Sequence, residues 1–101
     1  MKLRARADAN QQSIFDALRA VGASVADTHN VGNGVPDCFV LFRGTIFAVE
    51  IKNPKQPPSK RRLTPDEAEF RTKWRNVYHI VTTPEQALGV IGATREAQRN
   101  P

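Results

Sequence analysis

Hydrophobic residues recur at intervals of three and four over the first twenty positions, which is the spacing of a helix with one buried face. This spacing predicts a helix that begins at Asp8, with Gln11 three residues later as in a capping box, and ends at Gly22. Its predicted inward face carries one polar residue among apolar ones: Gln11, Ile14, Phe15, Leu18 and Val21.

Continuous or alternating apolar runs over the next thirty positions predict strands instead. We expect strands over residues 24–28, 37–42 and 45–52, because these runs are rich in β-branched and aromatic side chains. Arg43-Gly44 separates the last two runs, so their strands should form an antiparallel hairpin. Residues 30–36 are rich in glycine and asparagine, which suit a loop that needs positive φ or a close approach to a ligand.

Prolines and capping residues divide the second half of the chain. Three prolines and four bases predict a loop without regular structure over residues 53–62. Thr64 and Glu67 then have the spacing of a capping box, and Pro65 suits the first position of a helix, which we expect to end near Arg75.

The remaining pattern predicts a strand over residues 77–81 and a last helix over residues 84–92. We interpret Phe70, Trp74 and Tyr78 as core residues rather than as a platform for stacking bases, because they share helical or strand spacing with other apolar residues. The resulting order, α-β-β-β-α-β-α, predicts an α/β fold in which helices flank a small mixed sheet.

The composition suggests a polyanionic partner. The chain has 101 residues, 40% of them hydrophobic, which suffices for one domain with a modest core. We expect residues 1–101 to form this domain, with a flexible basic arm at residues 1–7 and a frayed tail at residues 93–101. The formal net charge of +5 fits either a solvated basic surface or a nucleic-acid partner.

Other classes of protein are excluded by what the sequence lacks. No stretch has the apolar length of a membrane span, and the basic start lacks the apolar segment of a signal peptide, so we expect a cytoplasmic protein without a membrane partner. Cys38 is the single cysteine, which excludes an intrachain disulfide and any cysteine-based zinc pattern. We expect it to be a small buried side chain.

Two charged residues end the third predicted strand on the same face. Glu50 and Lys52 lie roughly 7 Å apart, in a row that is predicted to begin as core with Ile46 and Ala48. A buried carboxylate is costly unless it is paired or bound to a metal. Together with Asp37 on the neighbouring strand, these residues could hold a divalent cation and activate a water for phosphodiester cleavage. The alternatives are an exposed ion pair and an aspartate that binds backbone amides.

Three segments carry a more specific resemblance. Gly34-Val35-Pro36-Asp37, Glu50-Ile51-Lys52 and Leu63-Thr64-Pro65, in this order and spacing, resemble the PD-(D/E)xK nuclease superfamily, and within it the VRR-NUC family, which includes small stand-alone phage and bacterial proteins. The similarity extends over residues 8–88. It implies a restriction-endonuclease-like core and a metal-dependent endonuclease that hydrolyses DNA, with branched or structured DNA such as four-way junctions among its substrates. It also implies a homodimer in a phage or bacterial host cytoplasm, without a small-molecule cofactor.

The resemblance assigns roles to individual residues. Asp37 and Glu50 would bind Mg²⁺ or Mn²⁺, with the carbonyl of Ile51 as a third ligand, because these hard cations prefer oxygen ligands. Lys52 would orient the attacking water and neutralise charge on the phosphate. These three side chains, Asp37, Glu50 and Lys52, are the predicted catalytic residues.

Two accessory positions depart from the family pattern. Glu67 stands where the family usually has a glutamine facing the site, and it also fits the helix cap with Thr64; we prefer capping as its sole role. Gln11 lies on the inward face of the first helix and could reach the site, whereas the family's acidic position there corresponds to Ser13. These departures keep open the alternative of a non-catalytic nucleic-acid-binding or interaction module on a nuclease fold.

Four basic residues follow the predicted catalytic strand on one loop: Lys55, Lys60, Arg61 and Arg62. Side chains of this kind contact phosphates, which gives salt-dependent affinity that is largely independent of sequence. We therefore predict that this loop binds DNA.

Overall fold

The computed structural model describes residues 9–93, and its elements follow the predicted order with one addition. The elements are α1 (Ala9–Ala20), β1 (Ser24–Asp27), β2 (Cys38–Phe42), β3 (Thr45–Ile51), α2 (Pro58–Arg61), α3 (Pro65–Lys73), β4 (Tyr78–Val81) and α4 (Pro84–Ile91). The addition is α2, so the prediction of an unstructured loop over residues 53–62 is wrong for this turn. Proline at a first helical position has a φ that suits a helix, and α2 buries no side chain.

The strands form one mixed sheet in the order β1-β2-β3-β4. The first three strands are antiparallel, and β4 joins β3 in parallel after the crossover through α3. Phe42 pairs with Thr45, which leaves a two-residue turn in which Arg43 has φ 52° and Gly44 has φ 82°. Two positive φ values are those of a type I′ turn, whose twist matches the flanking strands. The predicted hairpin is therefore confirmed.

One face of the sheet carries the main hydrophobic core, under α1 and α4. Alternate residues of β2 and β3 point into this core, as strand geometry requires. Its most deeply buried side chains are Ile14, Phe15, Leu18, Cys38, Val40, Val49 and Val81. Cys38 is buried as predicted, and burial raises the pKa of its thiol to about 12.

The opposite face of the sheet packs against α3, and we call it the α3 face. Phe39 of β2 meets Phe70 and Trp74 edge-on, with ring centroids 6.3 and 5.6 Å apart. Trp74, predicted to be a core residue, is 40% exposed, so that prediction is wrong for this side chain. The prediction that Ile46 begins a buried row is wrong: it lies beside the hairpin turn and is 47% exposed, whereas Ala48 is fully buried.

The predicted chain ends fall largely outside the described residues. This holds for residues 1–8, with the basic arm and the cap Asp8, and for residues 94–101. Ala93 is described, and the prediction of fraying is wrong for it. Ala93 is buried and its N–H donates to the Leu88 carbonyl at 2.9 Å, because the chain turns back after α4. In the part of the chain that is described, no helix has the length and apolar character to cross a membrane.

Candidate active site

Strand pairing places the two predicted metal-binding acids opposite each other. Cys38 pairs with Val49, so Asp37 and Glu50, the next residues on the two strands, face each other across the hairpin. Directly opposed residues in an antiparallel pair point to the same face, with Cβ atoms about 5 Å apart. Both acids therefore lie together on the α3 face.

Asp37 is held in place by backbone hydrogen bonds. Its Oδ2 accepts from the Ile51 N–H at 2.8 Å, and its carbonyl accepts from the Thr28 N–H at 2.8 Å. Burial raises the pKa of Asp37, although the Ile51 amide and the charge of Lys52 oppose this. The carboxylate thus combines a fixed orientation with a buried position.

Glu50 is an acid buried beside other acids. Its side chain is only 5% exposed, so the alternative of an exposed ion pair is excluded. Burial, followed by the charges of Asp37 and Glu67, raises the pKa of Glu50 to about 8. A neighbouring cation would favour the ionised form, because an opposite charge lowers the pKa of a carboxyl group.

The Lys52 ammonium lies between two carboxylates. Its Nζ is 3.2 Å from Oε2 of Glu50 and 3.2 Å from Oε1 of Glu67, and its side chain is 13% exposed. Burial would lower the pKa of Lys52, but the nearby Glu50 and Glu67 outweigh burial and raise it. Lys52 is therefore a charged group held in one place rather than a mobile surface side chain.

Glu67 both caps α3 and contacts Lys52. Its Oε1 accepts from the Thr64 N–H at 2.9 Å, while its own N–H donates to Thr64 Oγ1 at 3.2 Å, so the predicted capping box is confirmed. The same Oε1 accepts from Lys52 at 3.2 Å. The interpretation that capping is the sole role of Glu67 is therefore wrong, because the cap turns the carboxylate toward the end of β3.

A close contact between Gly34 and α3 sets the position of Glu67. Gly34 has φ +84°, and a Cβ built on it would lie 2.5 Å from the Asp66 carbonyl carbon. The predicted need for positive φ and close approach is confirmed at this residue, although the approach is to the first turn of α3. A side chain at position 34 would push that turn, and Glu67 with it, away from the sheet.

The first helix meets the site through Asn10, which the sequence analysis did not select. Its Nδ2 donates to the Lys52 carbonyl at 3.2 Å, and this joins α1 to the end of β3. Gln11 is buried on the inward face, and its contact with the site stays a prediction. Ser13 is exposed and its hydroxyl donates to the Asn10 carbonyl, so it adds no polar group to the acids. The role of Asn10 was missed because a side-chain amide that binds a carbonyl 42 residues away leaves no periodic signal in the sequence.

The four predicted DNA-binding bases are all exposed: Lys55, Lys60, Arg61 and Arg62. They lie on α2 and the residues flanking it, directly after β3. None of them forms an ion pair within residues 9–93. Their charges are therefore not neutralised by neighbouring carboxylates in the described part of the chain.

Tyr78 is a further residue of the α3 face that the sequence analysis treated only as core. It is buried as expected, and its partner in the parallel β3–β4 ladder is Ala48, two residues before Glu50. Burial raises the pKa of its hydroxyl, and the charges of Glu50, Glu67 and Asp37 raise it further. Its proximity to the acids depends on the parallel pairing of β4, which the sequence alone did not establish.

The donor set fits a hard divalent cation. Asp37 and Glu50 offer two adjacent carboxylates, and burial raises the pKa of both. Among the described residues, no three histidine, cysteine or acidic side chains form a metal-binding group. A cation here would therefore use two carboxylates, a carbonyl such as that of Ile51, and waters, which suits Mg²⁺ because it retains several waters when bound.

Comparison with known proteins identifies the class of fold. A solved structure described as a VRR_NUC domain matches this chain with a TM-score of 0.60, covering 81% of this chain and 89% of that one at 24% sequence identity. No family model matches the sequence. No curated protein matches it either. The two chains share a fold, a small mixed sheet flanked by helices, and the predicted resemblance to VRR-NUC domains is confirmed at the level of the fold.

Proposed function

We propose that this chain is a Mg²⁺- or Mn²⁺-dependent endonuclease that hydrolyses phosphodiester bonds in DNA. The observation that carries this proposal is the burial of Glu50 opposite Asp37, with the Lys52 ammonium 3.2 Å from Glu50. Two carboxylates that are buried side by side destabilise a protein unless a positive charge compensates them. A divalent cation would compensate it, and the fold is one that nucleases use.

Each of these residues has a chemical role in this proposal. Asp37 and Glu50 would hold the cation, together with the carbonyl of Ile51. When bound, the cation makes a water a stronger nucleophile at neutral pH and polarises a phosphoryl oxygen. Lys52 would donate to the attacking water or to the phosphate and neutralise the charge that develops during attack. Glu67 would keep the ammonium directed into the site.

The exposed lysine and arginine side chains, which have no ion-pair partner among the described residues, suggest how DNA is held. Lys60 and Arg61 on α2, with Lys55 and Arg62 on either side, would contact phosphates next to the cleaved bond. Such contacts read no sequence. A domain of this size that depends on backbone contacts would recognise the shape of DNA, so branched substrates such as four-way junctions are our preferred class, cut by a homodimer that presents two sites.

A second candidate function follows from the two ion pairs of Lys52. A lysine held by both Glu50 and Glu67 is stable without substrate, which would suit a non-catalytic module that binds nucleic acid through its basic loop. The exposed position of Ser13 agrees with this candidate, since it supplies no acid to the site. We rank it second because the acids Asp37 and Glu50 are both present and adjacent.

The decisive experiment measures cleavage by the purified full chain on single-stranded, duplex, flap and four-way DNA, with Mg²⁺, Mn²⁺ or a chelator. We expect cleavage with either cation and none with the chelator. Asp37→Asn, which removes one charge from a ligand pair, should abolish both Mn²⁺ binding by calorimetry and cleavage. Mn²⁺ binding that is unchanged in Asp37→Asn would contradict the assignment of this site.

Lys52 distinguishes the two candidates. Lys52→Ala should lower the single-turnover rate by about 100-fold or more while retaining DNA binding, because its contribution is made in the transition state. Lys52→Arg should not restore the rate, since a planar guanidinium cannot replace a compact ammonium. The control is Lys73→Ala, which removes an exposed lysine paired with Glu69 on α3. Cleavage by Lys52→Ala at the wild-type rate would favour the binding module.

A further inference from the structure

An unpaired hydroxyl lies inside the protein beside the acids. Tyr78 is 7% exposed, and its hydroxyl oxygen is buried without a hydrogen bond to any described residue. Leaving a buried hydroxyl unpaired costs about 1–3 kcal/mol. A phenylalanine would fill almost the same space without that cost, so packing does not explain the oxygen atom.

Strand pairing and a ring contact place Tyr78 between β3 and α3. Tyr78 pairs with Ala48 on β3, and Ala48 precedes Glu50 by two residues on the same face. The Tyr78 ring also contacts Phe70 of α3, with centroids 6.3 Å apart. Phe70 follows Glu67 by three residues, which is one helical turn. The ring therefore lies between β3, which carries Glu50, and α3, which carries Glu67.

The charges around the hydroxyl indicate which acid it suits best. After burial, Glu50 is the largest influence that raises the pKa of Tyr78, followed by Glu67 and Asp37, while Arg71 opposes them. The hydroxyl therefore keeps its proton and is available as a donor. Asp37 already accepts from Ile51, and Glu67 accepts from both Thr64 and Lys52. Glu50 has Lys52 as its ion-pair partner within residues 9–93, and its carboxyl group also makes a side-chain contact with Glu67.

We propose that Tyr78 is a positioning residue that donates a hydrogen bond to Glu50 when Lys52 turns from Glu50 to the substrate. This inference rests on the proposed function, which requires Lys52 to leave its ion pair. Glu50 would then lose its charge-assisted contact, and Tyr78 on the next strand offers an unused donor on the same face. The hydrogen bond would fix the carboxylate of Glu50 in the orientation needed to bind a cation.

Tyr78→Phe tests this role because it removes one oxygen atom and retains the ring. We expect urea unfolding of the variant to show an unchanged or higher free energy of unfolding, since a buried unpaired hydroxyl has been removed. Mn²⁺ affinity measured by calorimetry should fall about 10-fold, the usual lower bound for losing a group that orients a metal ligand. The rate at saturating Mn²⁺ should fall while KM for DNA stays constant.

A matched control separates this effect from the loss of any hydroxyl. Thr72→Val on α3 removes an exposed hydroxyl that donates to the Ala68 carbonyl at 3.0 Å, away from the acids. It should leave Mn²⁺ affinity unchanged. If Tyr78 serves packing alone, Tyr78→Phe will bind Mn²⁺ and cleave as the wild type does, and that result overturns the inference while leaving the proposed function intact.

A spectroscopic readout follows Tyr78 without measuring cleavage. The chain contains a single tyrosine, so 3-fluorotyrosine labelling gives one ¹⁹F signal. We expect this signal to shift on addition of Mg²⁺ and a DNA strand that resists cleavage, and to shift less in Lys52→Ala, which has no ammonium to redirect. A signal that does not respond in protein shown to bind Mg²⁺ overturns the inference. Wild-type protein that binds no cation overturns the proposed function and the inference together.

Discussion

Gly34→Ala should displace the first turn of α3 from the sheet, whereas Gly32→Ala should not. Both glycines have a positive φ, +84° at Gly34 and +77° at Gly32. A residue with a Cβ in this region costs about 1–2 kcal/mol, so both variants should lose that much stability. At position 32 a Cβ would meet no atom within 4 Å, which makes Gly32→Ala the matched control for backbone strain.

The additional loss at position 34 follows from the contact distances. A Cβ there would lie 2.5 Å from the Asp66 carbonyl carbon and 2.9 Å from the Asp66 Cβ, whereas ordinary contact begins at 3.4 Å. The first turn of α3 must therefore yield by about 1 Å, and such overpacking typically costs about 1–3 kcal/mol. Gly34→Ala should thus lose about 2–5 kcal/mol in all, against about 1–2 kcal/mol for Gly32→Ala.

Urea unfolding measures both losses, and hydrogen exchange locates the displacement. We expect faster amide exchange over α3 in Gly34→Ala alone. Glu67 follows Asp66 directly, so the same movement should weaken its contact with Lys52 and lower the cleavage rate under conditions in which both variants are folded. Equal losses of stability in the two variants, or equal exchange over α3, would refute the reasoning.

Three further predictions concern the charges of the site. Because the pKa of Glu50 is raised from 4.5 to about 8, its contribution to stability is present below about pH 4.5 and is lost as the pH rises to about 8. Glu50→Gln should flatten this part of the pH profile in thermal unfolding; an unchanged profile would contradict the burial argument. Alanine at Lys60, Arg61 and Arg62 together should reduce the salt dependence of DNA binding by up to about 0.9 in log–log slope for each lost duplex contact, while Lys73→Ala leaves it unaltered. Glu67→Gln should retain the helix cap and most of the stability, whereas Glu67→Ala removes the hydrogen bond to the Thr64 N–H and should lose about 1 kcal/mol, as measured by urea unfolding.

The elements that were predictable are those specified by neighbouring residues. The capping box of Thr64 and Glu67 needs only residues within one turn, and the structure contains both of its hydrogen bonds. The hairpin needs only Arg43-Gly44 between two apolar runs. Once the hairpin forms, Asp37 and Glu50 must lie opposite each other, so the pairing of the acids was also implicit in local signals.

The features that were missed depend on where α3 and β4 lie. Ile46 and Ala48 are apolar residues on the same face of β3, but Ala48 is fully buried whereas Ile46 is 47% exposed. The sequence does not show how far a helix extends over that face of the sheet. The contact of Glu67 with Lys52 likewise depends on the approach of α3 to Gly34. Tyr78 comes beside the acids because β4 pairs in parallel with β3, which is a long-range relation.

The charge balance of the site is the reason for proposing cation binding rather than a purely structural role. Asp37, Glu50 and Glu67 share one nearby ammonium, that of Lys52, and burial followed by the charges of Asp37 and Glu67 raises the pKa of Glu50. Replacing buried charges with uncharged side chains of similar volume is often neutral or stabilising, so a stability role alone would favour glutamine or leucine at position 50. Groups that destabilise the folded protein are characteristic of functional sites, where activity offsets the loss of stability. In the proposed function, a divalent cation would convert this local excess of negative charge from a cost into binding energy.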